Sequence, residues 1–278
     1  VDIPGRLLAV EIALGGKVVL VKTTTVLASF EATTLKLIQK TDYPIVKGGG
    51  SMHGLAVAKD GKSVLVSGGK THLYRAPLAV DGSFKFGDSI DVSGGAKNVN
   101  PLGLAFSADG KFAYVALSVD NSLAIIDLTS GKITDKVSLG IAPYGVALSP
   151  DGKTAYVSTF GGRPPGANDS SETSAGSLVA VDVRSVALNG TLSIVDLTGK
   201  PREVAQISVG LHPSEVLLNA DGSKLYIANV GGDSVSVVET ATRKVTATIS
   251  TKPDPALPWG TLTDGLALSA AGKTLSTA

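Results

Sequence analysis

The side chains in this sequence that could bind a metal ion or a phosphate are few and lie far apart along the chain. There are three histidines and no cysteine. His53 and His212 each stand just before a short apolar run, and two neutral imidazoles brought together could share a metal ion or a phosphate. A repeated sequence pattern would also place two histidines in this way without any function. His72 lies inside a predicted strand and is interpreted as an ordinary surface or edge residue.

The other candidate ligand-binding residues lie in predicted loops. Carboxylate oxygens are ligands for Ca²⁺, but Asp and Asn in turns readily hydrogen-bond their own backbone, so both interpretations stay open for Asp120 and Asp233. Tyr144, in the sequence Pro-Tyr-Gly, either contacts a ligand or packs at a rim. Arg163 and Asp264 complete the set. We predict no catalytic residue and no cofactor, a divalent metal ion being the one alternative.

Several kinds of chemistry have no matching motif. The lack of cysteine excludes disulfides, thiolate metal sites and a cysteine nucleophile. Neither a Gly-x-Ser-x-Gly elbow with a partner histidine nor a Walker-type phosphate loop occurs. The formal net charge is +1 with no long basic run, which argues against nucleic-acid binding. No apolar run approaches the roughly 18 residues that a membrane span needs.

A recurring hairpin pattern must position these side chains. Residues 144–148 and 154–157 are short apolar runs on either side of Asp151-Gly152. Asp-Gly between apolar runs is a strong hairpin signal, because the turn needs a positive φ that glycine adopts at little cost. The same pattern surrounds Asp60-Gly61, Asp109-Gly110 and Asp221-Gly222, and it recurs in weaker form at Gly15-Gly16 and Ala271-Gly272.

A second hairpin follows the first in each repeat, so each unit holds the four strands of one propeller blade. The repeat spacing, with one enlarged interval, fits blade-sized units. We therefore predict an all-β fold, a β-propeller of four-stranded antiparallel blades, as a single domain over residues 1–278. The predicted blades are 6–44, 51–97, 98–140, 141–210, 211–250 and a partial blade at 264–278. Because five blades and one hairpin do not obviously close a ring, we expect six or seven blades, with strands from outside this chain completing it.

The candidate site follows from this architecture. In a propeller, the loops that lead into the first strand of each blade open on the same face as the loops between the second and third strands. The first kind carries His53, Tyr144, His212, Asp264 and the linker around Trp259, and the second carries Asp120, Asp233 and an insertion at 161–189 with Arg163. Long insertions are typical of functional or mobile loops. We predict a ligand-binding mouth at this face.

The repeats resemble the YVTN β-propeller family. The places of its Tyr-Val-Thr-Asn signature are taken by Tyr114-Val115-Ala116, Tyr156-Val157-Ser158-Thr159 and Tyr226-Ile227-Ala228-Asn229, and Leu-Ser-Pro-Asp-Gly-Lys at 148–153 matches the turn before it. The segments around 160–165 and 209–214 further resemble bacterial propellers fused to a phosphoesterase of the alkaline-phosphatase type. This resemblance implies a phosphoesterase domain in the same polypeptide, with the metal-dependent chemistry in that other domain.

Three functions are consistent with these observations. The leading hypothesis is a non-catalytic module, periplasmic, secreted or at the cell surface, that binds a partner protein, a cell-surface polymer or the neighbouring phosphoesterase domain. The first alternative is a propeller enzyme of the lactonase or lyase type, with a metal-assisted site formed by His53, His212 and acidic rim residues. The second alternative is a surface-layer or structural protein that forms an ordered lattice.

Overall fold

The structure is a computed structural model that describes residues 2–44, 50–174, 176–183, 185–254, 256, 262–269 and 271–277. These residues form an all-β, five-blade propeller of four-stranded antiparallel sheets. In the described part of the chain, helix is limited to two 3₁₀ turns, Leu14–Gly16 and Val230–Gly232, and no helix there has the length and hydropathy for a membrane crossing. Contacts divide the chain into two compact units, residues 1–117 with 124–135 and residues 118–123 with 136–278.

The first two blades belong to the first compact unit, and the third has residues in both units. The first blade is β1 (Leu7–Ala13), β2 (Val18–Thr23), β3 (Val26–Glu31) and β4 (Leu37–Asp42). The second is β5 (Gly50–Val57), β6 (Ser63–Gly68), β7 (His72–Pro77) and β8 (Ser89–Asp91). The third is β9 (Pro101–Phe106), β10 (Phe112–Leu117), β11 (Ser122–Asp127) and β12 (Lys132–Ser138).

The remaining strands lie in the second compact unit. The fourth blade is β13 (Ile141–Leu148), β14 (Thr154–Gly162), β17 (Gly190–Asp196) and β18 (Arg202–Val209), with the separate hairpin of β15 (Ser171–Ser174) and β16 (Ser177–Ala180) inserted. The fifth is β19 (Pro213–Leu218), β20 (Lys224–Asn229), β21 (Ser234–Glu239) and β22 (Lys244–Ser250). A two-stranded sheet follows, β23 (Leu266–Leu268) and β24 (Leu275–Thr277).

The blade count differs from the prediction. Four-stranded antiparallel blades are confirmed, but the described residues form five of them, not six or seven. The pattern around Ala271-Gly272 contributes only the pair β23 and β24. The predicted number was higher because it added strands from outside this chain to close a ring, whereas the sheets of the described residues are the five blades and the one hairpin expected within the chain.

The Asp-Gly turns close the first hairpin of four blades in the same way. Their glycines, at 61, 110, 152 and 222, have φ values of +70°, +70°, +69° and +75°. The aspartate of each turn accepts a hydrogen bond at Oδ1 from the backbone N–H two residues on, as from Lys62 to Asp60 at 2.8 Å and from Lys153 to Asp151 at 3.1 Å. Glycine supplies the left-handed backbone and aspartate the side-chain acceptor, which explains why this pair recurs.

A serine on the second strand of a blade ties it to the first strand of the next blade. In the first compact unit, the Ser67 hydroxyl of β6 donates to the Leu102 carbonyl of β9 at 2.6 Å. In the second unit, the Ser158 hydroxyl of β14 donates to the Ser214 carbonyl of β19, and the Gly145 N–H donates to Ser158 Oγ at 2.8 Å. These bonds satisfy polar groups that burial would otherwise leave unpaired.

Candidate functional site

Three stacked rings lie where the fourth blade meets the fifth. The ring centroids of Tyr144 and Phe160 are 5.9 Å apart at an interplanar angle of 26°, and those of Phe160 and His212 are 4.3 Å apart at 1°. Each of the three residues is half-buried. We call this set the aromatic column. It brings together two residues that the sequence singled out, Tyr144 and His212, through one that it did not.

The backbone that leads into each first strand positions the ring of His212. His212 has a left-handed backbone with φ +51°, and the corresponding residues Ala142, second in β13, and Leu262, four residues before β23, have φ +54° and +53°. The His212 carbonyl accepts a hydrogen bond from the Val230 N–H at 3.1 Å. The positive φ is therefore a feature of the repeat. It is not evidence that His212 has a function.

The imidazole of His212 lies beside a glycine on one side and Phe160 on the other. A Cβ at residue 231 would lie 2.8 Å from His212 Nδ1, so only glycine leaves room for the ring at its present place. Burial lowers the pKa of His212 below its ordinary value of 6.5, because the cationic form loses hydration. The ring that stacks on Phe160 at neutral pH is the uncharged imidazole.

Asp120 lies in the loop between β10 and β11, where its carboxylate has local partners. It accepts a hydrogen bond from the Ser122 hydroxyl at 2.5 Å and pairs with Lys136 at 2.6 Å. Its neighbour Asn121 accepts at Oδ1 from the Ala142 N–H, 2.8 Å away. The Asp120–Lys136 and Asn121–Ala142 contacts tie this loop to β12 and β13. They differ from the turn-capping interpretation, which has these side chains bonding their own local backbone.

Asp233 takes the role of Asn121 in the fifth blade. It is buried, with φ +45°, and its Oδ1 accepts a hydrogen bond from the Leu262 N–H at 3.0 Å. Its carbonyl accepts from the Thr251 N–H at 2.9 Å. Asp233 thus anchors the chain that leads into β23, just as Asn121 anchors the start of β13.

Arg163 lies in the insertion of the fourth blade and forms an ion pair within it. Its guanidinium contacts both carboxylate oxygens of Asp169, at 2.6 and 3.3 Å. This pairing lowers the pKa of Asp169 and raises that of Arg163. The Arg163 N–H donates to Asn189 Oδ1 at 2.7 Å, which ties the two ends of the insertion together.

The insertion is more ordered than a simple mobile flap. Its strands β15 and β16 pair over four residues each, from Ser171 with Ala180 to Ser174 with Ser177. Val179, Val181 and Ala187 form a small apolar cluster with Ile141 at the start of β13. This cluster fixes the base of the hairpin to the fourth blade.

His53 lies in the first compact unit, on β5, and is half-buried. The pairing of Leu55 with Val66 and of Val216 with Ile227 aligns the two first strands. In that alignment His53 corresponds to Ser214, two residues beyond His212. The interpretation that the two histidines occupy equivalent repeat positions is therefore wrong, because similar flanking sequences hid a shift of two residues.

Asp264 lies two residues before β23 in the second compact unit and is exposed. Its carbonyl oxygen accepts a hydrogen bond from the Ser214 hydroxyl at 3.5 Å. The linker around Trp259 lies outside the described residues. Within the described ranges, no three His, Asp or Glu side chains are grouped so that they could hold a metal ion. A metal site at these residues stays a prediction.

Two residues of interest were missed by reasoning from the sequence. Phe160 directly follows the Tyr-Val-Ser-Thr segment. Its position near the end of a predicted second strand of a blade was the sequence feature that could have indicated a place beside the first strand. Lys22 stands at the position of Ser67 and Ser158, at the end of the apolar run 18–21. It is fully buried, and its Nζ donates to the carbonyls of Ser51 and His53 at 2.9 and 2.5 Å.

These strands and loops define the class of protein as a five-blade β-propeller. A solved structure of Kuenenia stuttgartiensis hydrazine synthase is similar to it, with a TM-score of 0.74 and 19% identity over 100% of this chain and 74% of that chain. A functionally unknown protein from Desulfotomaculum acetoxidans DSM 771 is similar with a TM-score of 0.64 and 18% identity, over 87% of this chain and 71% of that one. At these identities the likeness shows the fold alone. No protein-family model and no curated protein matches the chain.

Proposed function

We propose that this chain is a non-catalytic binding module that works outside the cytoplasm, in the periplasm, in secreted form or at the cell surface. Its ligand is a cell-surface polymer or a partner protein. The observation that supports this most is the aromatic column of Tyr144 on β13, Phe160 on β14 and His212 in the loop just before β19, held by a rigid sheet scaffold. His212 belongs to a loop held by such a scaffold, which is where binding residues concentrate.

The chemistry of the column suits an uncharged, ring-shaped ligand group. Aromatic faces attract the C–H edges of other rings, and such pairs contribute about 0.5–1.5 kcal/mol beyond the area that they bury. His212 adds no charge that a ligand would have to desolvate, because burial lowers its pKa. Sugar rings of a surface polymer and aromatic side chains of a protein both offer suitable edges.

Two finer assignments belong to the same proposal. The Tyr-Val-Ser-Thr and Leu-Ser-Pro-Asp-Gly-Lys segments support membership of the YVTN group of propellers. The segment that begins at Phe160 supports a phosphoesterase domain as a neighbour in the same polypeptide. In that arrangement the propeller would hold the substrate-bearing polymer or the partner, and the other domain would carry out the chemistry.

A second candidate function is a propeller hydrolase or lyase with a metal-assisted site. The observation that favours it is the lowered pKa of His212, since a neutral imidazole can accept a proton or ligate a metal ion at neutral pH. One of the similar folds belongs to a protein named as a synthase. No activity is carried over from that protein to this chain.

Substitution of Phe160 tests the binding proposal. Binding of the wild-type chain to isolated peptidoglycan and to extracted cell-surface polysaccharide would be measured by sedimentation with the polymer. We expect Phe160→Ala to weaken binding roughly tenfold, as loss of a central aromatic contact does. Phe112→Ala is the matched control, because Phe112 is also half-buried but lies outside the column, and it should bind like the wild type.

Two outcomes would contradict the proposal. Equal loss of binding in Phe160→Ala and Phe112→Ala, or no binding by the wild type to either polymer, would remove the polymer as ligand. Hydrolysis of a phosphoester or a lactone by the wild type with an added divalent metal ion, abolished in His212→Ala, would replace the binding module by the second candidate.

A further inference from the structure

The sequence contains two Asn-x-Ser/Thr triplets, the acceptor signal for N-linked glycans in secreted proteins. One is Asn168-Asp169-Ser170 and the other is Asn189-Gly190-Thr191. Both lie in the second compact unit, at the insertion of the fourth blade. Triplets of this kind also occur by chance, so the accessibility of each one in the folded chain decides whether it can serve as an acceptor.

The hydroxyl of the second triplet is closed off by the sheet. Thr191 lies on β17, where it pairs with Thr159 of β14 on one side and with Ser208 of β18 on the other. Its side chain is buried, and its hydroxyl is hydrogen-bonded to that of Thr159. A glycosyltransferase has to contact the hydroxyl of the triplet as well as its asparagine. In the folded chain it cannot reach Thr191.

The amide of Asn189 is also held by its neighbours. Its Oδ1 accepts the hydrogen bond from the Arg163 N–H at 2.7 Å. A Cβ at residue 162 would overlap the same oxygen, so the amide packs directly against the backbone of Gly162. Transfer of a sugar to Asn189 would require both contacts to break. Folding therefore removes Asn189 as an acceptor.

The first triplet lies in a different environment. Asn168 and Ser170 are exposed, in the part of the insertion between β14 and β15 that forms no strand. Neither side chain is hydrogen-bonded to any of the residues that the structure describes. The amide nitrogen and the hydroxyl that a transferase must contact are therefore both accessible.

The middle residue of the first triplet is an aspartate whose charge has partners of its own. Asp169 Oδ2 accepts hydrogen bonds from the Arg163 guanidinium and from the Gly166 N–H, both at 2.6 Å. These bonds lower the pKa of Asp169, so its carboxylate is ionised and paired at neutral pH. The Asp169 N–H donates to the Gly166 carbonyl at 3.1 Å. Together these contacts hold the turn that presents Asn168 to solvent.

We propose that Asn168 is the acceptor of an N-linked glycan. The donor is an oligosaccharide joined to a lipid through pyrophosphate. Asn168 Nδ2 attacks C1 of the first sugar, so the N–C1 bond forms as the C1–O bond to the pyrophosphate breaks. The lipid pyrophosphate leaves, the amide proton passes to a base of the transferase, and nothing is oxidised or reduced. The proposal rests on the location outside the cytoplasm that is part of the proposed function, and it uses none of the aromatic column.

Glycosylation of the folded chain tests whether the structure selects between the two triplets. The whole chain would be incubated with a purified oligosaccharyltransferase and a lipid-pyrophosphate-linked oligosaccharide, and then digested with trypsin. Cleavage after Arg184 separates the two triplets, so mass spectrometry assigns the sugar to one of them. We expect sugar at Asn168 and none at Asn189. A synthetic peptide of residues 185–202 should accept sugar, because outside the fold the second triplet is accessible.

Substitutions in each triplet provide matched controls. Asn168→Gln and Ser170→Ala should abolish the modification of the folded chain, whereas Ser170→Thr should keep it, because either hydroxyl completes the triplet. Asn189→Gln should be modified like the wild type. Sugar on Asn189 in the folded chain, or no sugar on Asn168, would overturn the proposal.

The chain isolated from its own cells provides the second measurement. Its tryptic peptide 154–184 should carry the added mass of a glycan on Asn168. An unmodified Asn168 in chain recovered from outside the cytoplasm would overturn this proposal alone and would leave the polymer-binding test untouched. Recovery of the chain from the cytoplasm would overturn the proposed location, and this proposal with it.

Discussion

The junctions between blades in the first and second compact units use the same strand position with different chemistry. At the junction of the fourth and fifth blades the position holds Ser158, whose hydroxyl links Gly145 to Ser214. At the junction of the first and second blades it holds Lys22, whose Nζ reaches two carbonyl oxygens of the next strand. A small neutral donor and a buried amine thus perform the same structural task.

The difference between Ser158 and Lys22 shows that the repeat preserves the hydrogen bonds at this position and not the type of side chain. A hydroxyl loses little when it is buried with partners, whereas a buried ammonium loses its hydration. This loss lowers the pKa of Lys22 to about 7. The neutral amine still has two N–H groups for its two carbonyl partners, so the junction can remain closed after the charge is lost.

The largest expected effect contrasts a glycine from each unit. Gly54 has φ +93°, and a Cβ there would overlap the Leu102 carbonyl oxygen, whereas a Cβ at Gly145 would lie 2.5 Å from the Ser214 carbonyl oxygen. We expect Gly54→Ala to lower the free energy of unfolding by about 3–5 kcal/mol and Gly145→Ala by about 1–3 kcal/mol, because only the first adds backbone strain to overlap. Urea unfolding of both variants checks this, and equal losses would contradict it.

The next effect is a dependence of stability on pH that Lys22 produces. Between pH 7 and the ordinary lysine pKa of 10.5 the unfolded chain holds a proton on Lys22 that the folded chain has released. The contribution of Lys22 to the free energy of unfolding therefore rises with pH in this window, by up to roughly 1.4 kcal/mol per pH unit. Urea unfolding at several pH values should show a slope in the wild type that is reduced in Lys22→Met.

Two further variants make the pH prediction specific. Ser158→Ala should be less stable than the wild type but should keep the slope above pH 7, because Ser158 does not titrate in this range. Below pH 7 a second group acts in the opposite sense, since burial raises the pKa of Glu11 to about 7. Glu11→Gln should therefore remove a decrease of stability between pH 4.5 and 7. The same slope above pH 7 in Lys22→Met and wild type would disprove the role of Lys22.

The smallest expected effect on stability concerns the ring contacts at the junction of the fourth and fifth blades. A Cβ at Gly231 would lie 2.8 Å from His212 Nδ1, so Gly231→Ala should push the imidazole from its place beside Phe160 towards solvent. The pKa of His212 should then rise towards 6.5, at a cost of about 1 kcal/mol in stability. Titration of the imidazole resonances by NMR measures this shift. An unchanged His212 titration in Gly231→Ala would show that Gly231 does not position the ring.

Much of the fold could be predicted because its signals are local. The Asp-Gly turns at 60–61, 109–110, 151–152 and 221–222 combine a positive φ with a side-chain acceptor two residues from its donor, and both depend on neighbours in sequence. The total blade number was predicted less well, because it rested on an expectation about ring closure, which involves strands far apart in sequence. Asp120 and Asp233 lie in the predicted loops, but their partners, the Lys136 ammonium and the Leu262 N–H, come from chain segments distant in sequence.

The sequence by itself determined the strands, their hairpins and the four-stranded form of the blades, because these follow from turn chemistry and alternation within a few residues. Only the tertiary structure decided that Phe160 joins Tyr144 to His212, that Lys22 is buried against the next strand, and that His53 and His212 differ by two positions in their repeats. Contacts between blades join residues far apart in the chain. Their geometry is set by sheet packing, to which no single stretch of sequence corresponds.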